Sequence, residues 1–343
     1  MTAANNEREA LPVGLIADAD ETRPLAATIA SCSEMRLVAQ SGMPQSTAAP
    51  GAPWVDDTRV LLAQAGVRGL IVALPTRAAV EITNNAVSRG IHVWHAPPIA
   101  RDFAEAVDAC RRARDGQVVL RVASWVDHIR ETLRWALRQS TGFRPLFTEV
   151  SLAAEGPQVQ SWRSSESDAG GGVLMSSGYA ALESLVAVRG LPESVFGLLG
   201  RCRKRAAELA RETEDVAVAV LRYEGGGIGM IRASWDVPPY EIVVSHHGAE
   251  SSVKLGESEI EIVAAAGEPI DSRELPCDWL TADLRLFAQA VHGGLESEAT
   301  TAALERHLAV SSLIESIALS SRTGTPESPR RLYEVQKWPE PTR

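Results

Sequence analysis

Proton transfer near neutral pH falls to histidine, glutamate, tyrosine and lysine, and this 343-residue chain distributes them unevenly. Lysine occurs at Lys204, Lys254 and Lys337 alone, against 31 arginines. Residues 1–203 therefore offer no lysine base or Schiff-base amine, and a guanidinium cannot replace one because it does not deprotonate in proteins. His95 closes an apolar run and is expected at a strand-to-helix mouth, where it could donate a hydrogen bond or act as a base near pH 7. His92 and His95 are three apart, so on one strand they face opposite ways and cannot chelate one ion. The same objection removes His246 and His247. No other cluster has metal-ligand spacing, and no metal is expected. Gly170-Gly171-Gly172 has the look of a phosphate cradle, but no lysine or helix-opening Ser/Thr follows at the P-loop spacing. It reads instead as a loop permitting close backbone approach. The basic run Arg201–Arg205 would be spread by strand alternation over two faces, as on a solvated edge strand.

The elements that must position these residues follow from length and patterning. A chain of this size suggests two domains. Its formal charge of −10 argues against a broad nucleic-acid surface. Cys32, Cys110, Cys202 and Cys277 lie far apart, as reduced thiols of a cytoplasmic protein would. The polar N-terminus has no apolar core of a signal peptide, and no run reaches the ~18 apolar residues of a membrane helix. Apolar runs at Val13–Ile16, Met35–Ala39, Gly69–Leu74, Ile91–Trp94 and Val118–Ala123 read as strands. Stretches of helical spacing at Arg23–Ser31, Thr58–Gln64, Arg77–Arg89 and Ala104–Arg114 separate them. Buried strands alternating with helices predict a doubly wound parallel sheet whose ligands sit at the C-terminal strand edge. A helix over Asp127–Ser140 then leads to longer strands between residues 146 and 263 that suit an open, mainly antiparallel sheet. Helices over Thr281–Gly293 and Ala299–Arg322 precede a Pro-rich tail. The predicted architecture is α/β: a Rossmann-like domain over 1–123, an α+β domain over 124–330 and a tail over 331–343.

Several motifs in this order resemble the Gfo/Idh/MocA family (glucose–fructose oxidoreductase and inositol dehydrogenase). They are Val13-Gly14-Leu15-Ile16, Leu70–Pro75, Gly90-Ile91-His92-Val93 and Pro97-Pro98-Ile99-Ala100. Trp162-Arg163, Gly170–Leu174 leading to Gly178, Thr213-Glu214-Asp215, Gly248-Ala249-Glu250 and Phe287–Val291 continue the likeness over nearly the whole chain. The resemblance implies NAD(P)-linked redox chemistry on a sugar or polyol, but the matching positions have changed. The glycine-rich loop that admits a pyrophosphate is here Ala17-Asp18-Ala19-Asp20-Glu21-Thr22, with Pro75 bordering the same site. Three carboxylates stand where phosphate charge would lie. The acid expected to hold the ribose hydroxyls falls near Gly42. The family's Glu-Lys-Pro aligns with His95-Ala96-Pro97. Its D-x-G-x-H-x-x-D aligns with Ser176 through Glu183, with Ala180 in place of the histidine. If that segment is helical, 176, 180 and 183 share one face.

The expectation is a relative that binds no cofactor and serves in binding, regulation or scaffolding. The alternative is an NAD(P)-dependent sugar or polyol oxidoreductase with a displaced cofactor, using His95, Tyr179 or Glu183 as proton carriers. A lyase or hydrolase in the same cleft stands third. Trp162, Arg163, Ser176, Tyr179 and Glu183 are the residues expected around a sugar-like ligand. Val216–Leu221 is apolar on both faces, so the second sheet is expected to pair with another copy or with an active paralogue.

Overall fold

The computed structural model describes residues 9–341 apart from 43–44, 65, 140–142, 203–210 and 294–297, so Arg203, Lys204 and Arg205 of the basic run lie outside the described residues. The first half is a five-stranded parallel sheet in the order β2-β1-β3-β4-β5. Its strands are β1 (Leu11–Ala17), β2 (Met35–Ser41), β3 (Gly69–Ala73), β4 (His92–His95) and β5 (Leu120–Val122). The connecting helices are α1 (Ala19–Ser31), α2 (Thr58–Ala63), α3 (Thr76–Val87) and α4 (Phe103–Asp115). The strands are almost wholly buried because both sheet faces are covered, as the unbroken apolar runs require.

Helix α5 (Trp125–Arg138) leads into an eight-stranded sheet, ordered β13-β12-β11-β10-β6-β9-β8-β7. It is antiparallel except where the central strand β6 (Phe147–Ala154) runs parallel to β9 (Ile228–Trp235). Between β6 and β7 (Ser194–Gly200) lie the short α6 (Glu166–Ala169) and α7 (Tyr179–Arg189). The remaining strands are β8 (Val216–Arg222), β10 (Glu241–His247), β11 (Ser251–Leu255), β12 (Glu259–Ala264) and β13 (Pro269–Glu274). Strand β13 escapes the sequence reading because every residue in it is exposed: an edge strand carries no burial alternation.

Helices α8 (Trp279–Gly293), α9 (Glu298–Thr323) and α10 (Pro329–Gln336) return the chain to the first sheet. Leu284, Phe287 and Val291 of α8 join α1 on one face, while Leu308 of α9 and Tyr333 of α10 join α3 and α4 on the other. The segment read as a tail thus begins inside α10, whose Tyr333 ring lies 4.6 Å from that of Phe103. Helix α1 also starts four residues before the expected Arg23. Pro24 looks like a first-turn proline, but Asp18 caps the helix further upstream. Among the described residues no helix is long and apolar enough to cross a membrane.

Candidate functional site

The turn from β1 into α1 is the corner where this fold places a pyrophosphate, and its free amides are already used. The Asp18 side chain accepts hydrogen bonds from the Asp20 and Glu21 amides at 3.2 and 3.1 Å. Thr22, fully buried, donates its hydroxyl to the Asp18 carbonyl. A helix N-terminus attracts anions through its unpaired N–H groups and its dipole, and here a carboxylate of the chain itself has taken that place. Partial burial and the neighbouring Asp18 carboxylate raise Glu21 above the usual carboxylate range, against the pull of Arg163. Gly42 sits at φ +90, and a Cβ there would lie 2.8 Å from the Ile16 side chain, so no acidic residue fits. Beyond it, the Gln40 amide binds the Ala49 and Ala52 carbonyls at 2.6 and 2.8 Å, fastening the 45–54 loop against β2. Pro75 caps α3 without a side-chain hydrogen bond. A pyrophosphate in the ordinary position would have to displace the Asp18 carboxylate from these two amides.

Across the domain junction, Thr76, Pro97 and Pro98 face Trp162, Arg163 and Ser176 around a cavity of about 80 Å³. The Arg163 guanidinium lies 4.4 Å above the Trp162 ring. A space this small is well below the 300–1,000 Å³ of ordinary ligand sites. The triple glycine behind it is a strap: a Cβ on Gly172 would collide with the Glu214 carbonyl. The Glu214 side chain accepts from the Gly172 amide at 2.6 Å and the Leu174 amide at 3.4 Å. The close-approach reading of this loop therefore holds, and its amides are occupied.

A second cavity, about 260 Å³, opens beside α7, lined by Trp125, Trp279, Ile242, Val244 and Leu255. Ala180 lies on its wall, exposed, with Ser177 and Glu257 at its edge. The tryptophans carry no motif spacing by which the sequence would reveal this cavity.

The three expected proton carriers lie elsewhere. His95 is 1% exposed, donates Nδ1–H to the Ala96 carbonyl at 2.5 Å, and is pushed by burial down to about 4. Its Nε2 is buried without a hydrogen-bond partner, and the lowered value makes it a weaker base than an ordinary imidazole. Tyr179 and Glu183 do not reach the cleft either. Tyr179 is 3% exposed, and its hydroxyl meets His307 Nδ1 at 3.2 Å. Glu183, 2% exposed, accepts from the Ser124 hydroxyl at 2.5 Å and pairs with Arg306 at 3.5 Å. Burial raises it to about 7, even against the Arg306 charge. Arg306 also pairs with Asp127, and Asp127 with Arg121 at 3.1 Å. Arg121 continues to Asp283, which accepts from the Trp94 indole at 2.7 Å and meets His128 at 3.1 Å. These buried charges tie β5, α5, α7, α8 and α9 together at the domain junction. The spacing argument for 176, 180 and 183 fails because α7 begins only at Tyr179: Ser176 borders the cleft from outside the helix. Among the described residues no group of three His, Cys, Asp or Glu side chains could hold a metal.

Residues 13–124 match the model of the oxidoreductase family with an NAD-binding Rossmann fold, and residues 114–267 match the GFO/IDH/MocA C-terminal domain. The chain belongs to the Gfo/Idh/MocA family. No curated protein sequence matches it. Among solved structures it is similar to GenD2 from gentamicin A biosynthesis, a complex with NAD, at 19% identity over 96% of this chain and 99% of that one, TM-score 0.77. It is similar to KijD10, a 3-ketoreductase from Actinomadura kijaniata solved with NADP and TDP-benzene, at 19% identity over 91% and 98%, TM-score 0.79. The WlbA dehydrogenase from Bordetella pertussis, solved with NADH and UDP-GlcNAcA, is 20% identical over 93% and 98%, TM-score 0.77. At such identities the likeness establishes the family's two-domain fold.

Proposed function

We propose that this family member keeps the two-domain frame as a binding protein for a ring-shaped, sugar-type ligand and carries out no conventional nicotinamide hydride transfer. The observation behind this is the Asp18 carboxylate on the first free amides of α1. A pyrophosphate must displace it while meeting the charges of Asp20 and Glu21, and each unscreened like-charge pair costs on the order of a few kcal/mol. Alanines at 96 and 180 leave both of the family's proton-transfer positions without a titratable group. The ligand would lie against Trp125 and Trp279, with its ring faces on the indoles and its hydroxyls at Ser177 and Glu257.

The family match and the dinucleotides in its solved relatives favour a second reading: an NAD(P)-dependent oxidoreductase of sugars or polyols with the cofactor displaced from α1. Calorimetric titration with NAD⁺, NADH, NADP⁺ and NADPH separates the two. The first reading expects no binding below millimolar concentration. Micromolar affinity for any of the four overturns it in favour of the second.

A partner is part of the proposal. Phe196 and Leu198 of β7 pair across the ladder with Val220 and Val218 of β8, and all four side chains are exposed. With Ile228 they form an apolar patch on the open face of the sheet, suited to another copy of this chain or to an active paralogue.

A further inference from the structure

The side chains around the cavity beside α7 can satisfy few hydroxyl groups. Each hydroxyl of a sugar carries a proton that needs an acceptor, and a hydroxyl desolvated without one costs free energy. Ile242, Val244 and Leu255 accept nothing, and the indoles of Trp125 and Trp279 only donate. The Ser177 hydroxyl oxygen already accepts from the Trp235 indole at 2.9 Å, which leaves its own proton to donate. Glu257 supplies the one carboxylate, and the one charge, among the residues that line the cavity. It is exposed in the turn between β11 and β12, and no Lys, Arg or His nitrogen lies within 4.0 Å of it among the described residues.

Apolar walls, one donating hydroxyl and a single uncompensated carboxylate suit a ring that has exchanged some hydroxyls for hydrogen and one for an amine. We infer that the ligand of this cavity is an amino-deoxy sugar and that Glu257 selects it by charge. The ammonium donates to Glu257, an oxygen of the ring accepts from Ser177, and the deoxygenated edge lies on Ile242, Val244 and Leu255. This assignment rests on reading the cavity as a sugar site and adds which sugar enters it. A fully hydroxylated polyol would set hydroxyls against aliphatic carbon, and a sugar acid would set its carboxylate against that of Glu257.

Calorimetry on the full chain at pH 6 and low ionic strength tests this with four probes that differ by one group at a time. They are D-glucose, 6-deoxy-D-glucose, D-glucosamine and 2-amino-2,6-dideoxy-D-glucose. Loss of the 6-hydroxyl and gain of the ammonium should each raise affinity about threefold, and the two together about tenfold. The gain from the ammonium should shrink as salt rises and vanish in Glu257→Gln, while the gain from deoxygenation remains. Glu257 is an exposed turn residue, so the variant folds. D-glucose binding as tightly as the amino sugars overturns the assignment and leaves the sugar reading standing. So does an ammonium advantage that survives Glu257→Gln, or a 6-deoxy probe that binds more weakly than its parent. Binding of none of the four up to tens of millimolar overturns the sugar reading and the assignment with it.

Discussion

Replacing Glu183 with glutamine should remove a pH dependence written into the domain junction. In the folded chain this carboxyl is 2% exposed and raised to about 7 from an ordinary 4.5. Burial is the main cause. Arg306 and the Ser124 hydroxyl pull the other way, and the Asp127 charge adds to the rise. The folded state therefore holds the proton more tightly than the unfolded state does. Below about pH 4.5 both states are protonated and the stabilising contribution is complete. Between 4.5 and 7 the unfolded chain gives up its proton first, so stability falls as pH rises; above 7 the contribution is gone. At about 1.4 kcal/mol per pH unit, the loss across that window is about 3 kcal/mol. Glutamine keeps the shape and still accepts from Ser124 but does not titrate. Urea unfolding of both proteins at pH 5, 6, 7 and 8 should show Glu183→Gln gaining on the native sequence with each step, by about 3 kcal/mol in all. Parallel stability curves refute the reasoning. So does a native protein that gains on the variant with rising pH, which would mean that Arg306 holds an ionised Glu183.

Asp18→Gly frees the Asp20 and Glu21 amides and should cost only about a few tenths of a kcal/mol of stability, because glycine is itself a tolerated N-cap. Combined with Asp20→Asn and Glu21→Gln, it should raise NADH affinity in a titration, with the gain shrinking as salt rises, whereas Asp18→Asn, which keeps the cap, should gain less. Gly172→Ala drives a methyl into the Glu214 carbonyl and should lower stability by roughly 3 kcal/mol or more in a denaturant melt. Gly226→Ala, in open space at φ +91, should lose only about 1 kcal/mol. Light scattering should give at least twice 36.8 kDa at micromolar concentration, falling to the monomer on Leu198→Glu with Val220→Glu. A native monomer rules out pairing with another copy of this chain.

The fold was legible because its signals are long-range patterns. Five apolar runs separated by helical spacing leave few alternatives to a covered parallel sheet, and Val216–Leu221 declared a strand with two apolar faces. The candidate site was less legible because it turns on direction. Asp18 looked like a charge repelling phosphate; that its carboxylate folds back onto two amides depends on where α1 begins, and Pro24 obscured that. Tyr179 stands beside Ala180 in sequence, yet successive helical residues diverge by about 100°, so one step sends Ala180 to solvent and Tyr179 into the core. The network that receives Glu183 joins residues 121, 124, 127, 183, 283 and 306, a set with no local spacing to reveal it.

The buried charges hold the domain junction independently of positions 96 and 180. A buried carboxylate is tolerated only with partners, and removing one partner typically costs several kcal/mol. Asp127, Glu183 and Asp283 each touch an arginine, and Ser124 and Trp94 complete the hydrogen bonding. These residues fasten α5, α7, α8 and α9 to the end of β5, so substitution there loosens the junction whatever chemistry occurs in the cleft. Positions 96 and 180 carry no such burden: Ala96 is half-exposed and Ala180 faces solvent. An alanine at either place therefore leaves the packing of the junction intact.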